Sequence, residues 1–138
     1  MDVELAVKRL VRRYKTNCPF TLAKSLNIEL RREYLGKATR GIYYRKLRHR
    51  YIVVHEDLPD EASRLVVAHE LGHDRLHKGV GYYFVEQNTL FNPGRFERQA
   101  NRFAVLLLTY GDEIGPGETA ELVCVRNGVP AEMAKYLF

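Results

Sequence analysis

The chain reads as an α+β fold: two helices, a small antiparallel sheet, then further helices, one of which carries a His-Glu-x-x-His motif. Apolar residues recur at helical spacing near the start and in the second half. Runs rich in tyrosine and β-branched residues cluster between about 28 and 55. With 138 residues, 46% hydrophobic and 28% charged, the chain has the size and balance of a single domain spanning 1–138.

The N-terminal helices are expected within residues 2–27. Val3, Leu5, Ala6, Leu10 and Val11 form an apolar stripe with lysine and arginine between them. Cys18-Pro19-Phe20 breaks this helix, and LAKSLNI supplies a second of about two turns. Such a pair resembles the start of a helix-turn-helix unit, but the pattern changes to strand after Asn27, so no recognition helix follows. The sheet is expected over about residues 28–55. Ile28-Glu29-Leu30 with Tyr34-Leu35 suggests one strand, GIYYRKL (41–47) a second, and Tyr51-Ile52-Val53-Val54 a third. Arg48-His49-Arg50 is short enough to close a hairpin between the last two.

DLPD (57–60) offers helix-start chemistry, and the motif helix should run over about 61–77, with a stop at Gly79. Residues 79–94 are irregular, with Gly79, Gly81, Pro93 and Gly94. A further helix is expected over 97–108, its apolar side built from Ala100, Phe103, Ala104, Leu107 and Leu108. After the GDEIGPGE turn, small helices finish the chain within 118–137, divided by Gly128-Val129-Pro130.

Several function classes are excluded. No apolar run approaches the roughly 18 residues of a membrane span, so no membrane partner is expected. MDVELAVKRL lacks the basic flank and unbroken apolar core of a secretory signal, which places the protein in the cytoplasm. Cys18 and Cys124 read as two reduced, partly buried thiols. Much of the +5 charge falls in residues 31–50. A surface strand whose lysines and arginines blunt a sheet edge explains it best, ahead of an acidic protein partner or a nucleic-acid contact. The chain has no room for a DNA-reading domain of its own, so direct nucleic-acid binding is not expected.

The chemistry centres on VVAHELGHDRLHKG (66–79). On a helix His69 and His73 share one face, one turn apart, and can direct imidazole nitrogens at one ion. Glu70 is turned roughly 100° round the axis, so it can miss the metal yet reach a water beside it. Small Ala68 and Gly72 leave room for close approach by another element. His77 lies eight residues beyond His69, a rise of about 12 Å, too far for both to reach one ion with bonds of about 2 Å. A histidine six residues past the second would fall at 79, which is glycine. A third ligand must come from elsewhere, and His49, His55 and the acids are the candidates. Glu97 stands out on the stripe it shares with Asn101, Ala104 and Leu108, where it would leave a fourth position for water; Asn101 is then placed to orient a ligand or tie the helices. Taken by itself, Glu97 reads equally as an acid favoured in a helix's first turn.

HELGHDRLHKG followed by NTLFN and ERQANRFAVLLL resembles the ImmA/IrrE family of zinc-peptidase-like proteins, many encoded by mobile elements or phages. KTNCPFTLAKSLNIEL and GIYYRKLRHRYIVVHEDLPDEASRLVVAHELGH extend the likeness over roughly residues 3–108, and more loosely to the end. The resemblance implies a zincin-like helical core beside the sheet, zinc held by His69, His73 and Glu97, and Glu70 as general base. One departure is LLLTYGD, which lacks the family's proline stop and lets the helix run on towards Gly111. Glu70 would take a proton from the attacking water and pass it to the leaving amine. For an oxyanion donor His77, Tyr82, Tyr83 and Arg102 are the candidates, His77 first among them; capping the last turn or bonding the loop is its plainer role. The implied substrate is a helix-turn-helix repressor of the same mobile element or prophage. The alternative is a non-proteolytic, metal-containing regulator that binds such a repressor or another protein. A hairpin near the motif helix could offer an edge strand to an extended substrate, with 79–94 as the other wall.

Overall fold

Asp2 starts the first helix, α1 (Val3–Tyr14), by accepting a hydrogen bond from Leu5 N at 3.0 Å, which satisfies one of the amides a helix start leaves open. The structure is a computed structural model and describes residues 2–77, the backbone of 84–85, and 94–138. In α1 the face turned inward is Val3, Val7 and Leu10. Leu5 is 38% exposed, because two residues from Val3 is more than half a helical turn away. The second helix, α2 (Pro19–Ser25), begins with the proline whose missing N–H costs nothing there, and buries Leu22 and Ala23.

Three strands follow: β1 (Ile28–Glu33), β2 (Gly41–Lys46) and β3 (His49–His55). A two-residue strand, β4 (Phe84–Val85), extends the sheet to the order β1-β3-β2-β4. β2 and β3 form the expected antiparallel hairpin, closed by Leu47 and Arg48 between the paired Lys46 and His49. The turn is one residue earlier than expected, and Leu47 is 88% exposed with φ of +57°. The sheet is mixed, which corrects the expectation of a wholly antiparallel one: β1 runs parallel to β3, with Ile28 opposite Arg50 and Leu30 opposite Ile52. The cause is burial. Ile52, Val53 and Val54 are all buried, so β3 takes an interior place with a neighbour on each side. β1 buries only Ile28 and goes to the edge. Residues 34–40 reach at most about 25 Å, ample for the roughly 10 Å across two strand spacings to β2. Arg31, Arg32, Arg45 and Lys46 are exposed on these strands. The outer edge of β2 is not open along its length, because Ile42 and Tyr43 pair with Val85 and Phe84.

Helix α3 (Asp60–Leu76) starts after Pro59, with Asp60 and Glu61 at its positive end, and lies against the sheet. The contact is close at Gly41 of β2, where a Cβ would stand 2.3 Å from Val66 Cγ1. Residues 65–74 are all buried, so α3 is enclosed on every side. Helix α4 (Arg95–Leu108) crosses it, again with little clearance: a Cβ on Gly72 would lie 3.1 Å from Phe103 Cβ and 3.2 Å from Ala100 Cα. α4 does not run on towards Gly111; Thr109 turns its hydroxyl back onto Val105 O at 2.7 Å and the chain leaves the helix there. Helix α5 (Ala120–Arg126), capped by Thr119, leads to a terminal 3-10 helix (Ala131–Leu137) rather than an α-helix. Cys124, Val129, Met133 and Tyr136 from this end join the core beside Leu107 and Leu108. Cys18 and Cys124 are free thiols. Among the described residues no helix is long and apolar enough to cross a membrane.

Candidate metal centre

The motif sits in the buried middle of α3 because Val66, Val67, Ala68 and Leu71 are needed by the core on either side of it. His69, Glu70 and His73 are 4%, 0% and 1% exposed, and one potential ligand atom from each lies within 4.8 Å of the others. Glu70 Cγ packs near Gly41, where a Cβ would be 3.7 Å away, and Glu70 Oε1 is 3.9 Å from His69 Nε2. The glycine of β2 thus makes space for the carboxylate as well as for Val66.

α4 brings Glu97 to the same point. Its Oε2 is 3.1 Å from His69 Nε2 and its Oε1 is 2.6 Å from His73 Nε2. Glu97 Oε1 is buried and accepts no hydrogen bond among the described residues. Two imidazole nitrogens and a carboxylate gathered out of water form a donor set suited to zinc. Ligand atoms round a tetrahedral ion with bonds of about 2 Å stand about 3.3 Å apart, close to the His69–Glu97 separation; the His73–Glu97 pair needs to open slightly. On these grounds His69, His73 and Glu97 fit a metal.

The other sequence candidates are placed elsewhere. His49 is exposed at the start of β3. His55 contacts Gly36 O at 2.8 Å and accepts from Asp57 N at 3.1 Å. Arg102 donates to Tyr136 O at 3.0 Å. Tyr82 and Tyr83, and most of the 79–94 segment, lie outside the described residues. Asn101 is buried one turn beyond Glu97, and its Nδ2 makes no hydrogen bond among the described residues.

His77 is buried at the end of α3, with Nδ1 2.8 Å from His73 Nδ1 and Nε2 2.8 Å from Gln99 Oε1. Both ring nitrogens are occupied within the protein, which leaves none to serve an oxyanion. Burial holds its pKa below the ordinary imidazole value, against the Gln99 contact and the Glu97 charge, so the ring is neutral near pH 7. The ring of Phe96 stacks on it at 4.2 Å.

A second polar cluster adjoins the motif and was not foreseen. Asp74 accepts from Tyr43 at 2.7 Å, from Arg50 at 2.9 Å and from Arg75 at 2.7 Å. Burial pushes the Asp74 carboxyl up, but the bonds from Tyr43 and Arg75 and the charge of Arg50 more than reverse this, leaving it below the ordinary value. Tyr43 is pushed far up by burial and by Asp74. Arg50 also donates to Leu26 O, so one guanidinium joins β3, α3 and the end of α2. Apart from alternating strand residues, no local signal in the sequence marks this cluster. Gln99 is likewise invisible there, because only the crossing of two helices brings it to His77.

A buried His-Glu-x-x-His helix, crossed by a second helix that presents a carboxylate, defines a metallopeptidase-type protein. Residues 23–116 match the family described as Peptidase_M78, the IrrE N-terminal-like domain, and the chain belongs to that family. It is also 36% identical over 136 residues to "Uncharacterized immunity region protein 2" of Bacillus phage phi105, a match covering 96% of this chain and 86% of that protein.

Proposed function

We propose that the chain is a zinc-dependent, site-specific endopeptidase, one zincin-like domain over 1–138, which acts in the cytoplasm on a helix-turn-helix repressor of a mobile element or prophage. The observation that carries the reading is the convergence of His69, His73 and Glu97 beside a buried Glu70. His69 and His73 would hold the metal through Nε2 and Glu97 through its carboxylate. Zinc bound there supplies Lewis acidity towards a carbonyl oxygen and an acidified water. Glu70 accepts the proton of the attacking water and returns it to the leaving amine. Its enclosure against Gly41 keeps bulk water from competing for that proton. Likeness to a phage immunity-region protein supports placing the substrate among the proteins of a mobile element.

Glu70→Gln tests the reading. The variant keeps zinc and loses cleavage of the repressor encoded beside this gene by at least about a hundredfold, the lower bound for general-base removal. If Glu70→Gln regulates as the wild type does, and only His69 or His73 substitutions abolish regulation, the protease reading fails. A metal-containing regulator that binds its partner without cutting it would then be the function.

A further inference from the structure

The contacts of His77 carry a direction. Two imidazole nitrogens 2.8 Å apart, His73 Nδ1 and His77 Nδ1, share one proton, so one donates and the other accepts. At its other nitrogen His77 meets Gln99 Oε1 at 2.8 Å, and an amide oxygen only accepts. His77 Nε2 therefore carries a hydrogen, a neutral ring carries only one, and His77 Nδ1 is the acceptor. The shared proton belongs to His73 Nδ1. His73 Nε2, the atom 2.6 Å from Glu97 Oε1, is then the nitrogen turned to the candidate metal position, and any hydrogen it shares with that carboxylate leaves when an ion binds.

We propose that Gln99 and His77 are positioning residues whose hydrogen-bond chain fixes His73 in the Nδ1–H tautomer required for ligation through Nε2. The inference rests on the reading of His73 as a ligand. Phe96, stacked on His77 at 4.2 Å with planes 28° apart, holds the ring in the plane of the chain. α4 thus contributes twice, with Glu97 as ligand and Gln99 as terminal acceptor, so docking of α4 and preparation of His73 are one event. Turning the Gln99 amide over would reverse every bond and put the hydrogen on His73 Nε2, where it blocks ligation. Outer hydrogen-bond partners of this kind orient metal-bound histidines and raise their basicity.

The test reads tautomers by two-bond ¹H–¹⁵N spectra of histidine-labelled, metal-free protein at about pH 8, above the ordinary imidazole range. Expected are His77 as Nε2–H and a hydrogen on His73 Nδ1, both kept in Gln99→Glu, which preserves an acceptor. Gln99→Leu loses the preference and binds zinc about 10- to 100-fold more weakly in competition with a chelating dye. A wild-type spectrum with His73 Nδ1 unprotonated overturns the proposal, as does Gln99→Leu with unchanged tautomers and affinity. Failure of the wild type to bind zinc overturns the metal reading instead, and the metal-free spectra judge the hydrogen-bond chain separately.

Discussion

Gly72→Ala probes whether the spacing of two helices sets the geometry of the centre. The added Cβ would stand 3.1 Å from Phe103 Cβ, 3.2 Å from Ala100 Cα and 3.2 Å from Phe103 Cδ1. Carbon atoms pack best at about 3.5–4.0 Å, so α3 and α4 must part by about half an ångström. Ala100 meets the methyl with backbone and Phe103 is fully buried, so neither can rotate away. Overpacking of this sort costs about 1–3 kcal/mol. Alanine recovers about 1 kcal/mol of helix propensity, and the net loss of stability is therefore roughly 0–2 kcal/mol. The effect on the centre is larger in proportion. His69 and His73 ride on α3 and Glu97 on α4, and a half-ångström shift exceeds the ±0.2 Å tolerance of metal–ligand distances. Zinc affinity should fall by about tenfold or more while the metal-free protein melts no more than about 10 °C below wild type. Competition titration and thermal unfolding of the metal-free protein measure the two. Wild-type affinity with an unchanged or raised melting temperature would refute the claim that helix spacing limits the centre.

Gly41→Ala is expected to destabilise the fold by about 1–3 kcal/mol in chemical denaturation, because its Cβ would lie 2.3 Å from buried, β-branched Val66. Asp74→Asn removes the charge that faces Arg50 and Arg75 in a site where the carboxylate is 1% exposed. It should cost about 3 kcal/mol, the low end for breaking a buried pair since both arginines keep some solvent, and urea unfolding would show it. Asp112 is held at about 2 by hydrogen bonds from Arg126 and Asn127. Its folded pKa is depressed, so the stabilisation is complete above the unfolded value of about 3.9 and disappears as pH falls through about 2. Carboxyl titration by NMR should place the Asp112 midpoint near 2 in the wild type and higher in Arg126→Met.

Much of this arrangement is legible in local pattern. The apolar spacing of α3 and α4, the Pro19 start of α2, and the strand runs at 41–46 and 49–55 are short-range consequences of side-chain period and turn chemistry. His69, Glu70 and His73 belong to the same class, since a helix alone puts the two imidazoles one turn apart. Elsewhere a longer-range competition decides the outcome. β1 runs parallel to β3 because buried Ile52, Val53 and Val54 claim an interior place and a connection over 34–40 is long enough to allow it. Leu5 belonged to the apolar stripe by composition, yet Val7 faces inward, and only the docked orientation of α1 separates them.

Spacing within single elements is enough to place the helical pair of histidines, the acid beside them and the α+β order. Packing between elements is what brings Glu97 to both histidines, turns the two nitrogens of His77 to His73 and Gln99, and gathers Tyr43, Arg50 and Arg75 round Asp74. Those contacts join residues that are distant in the chain or were ambiguous within their own helix. The two glycines that let α3 approach β2 and α4 so closely set the distances at which they form.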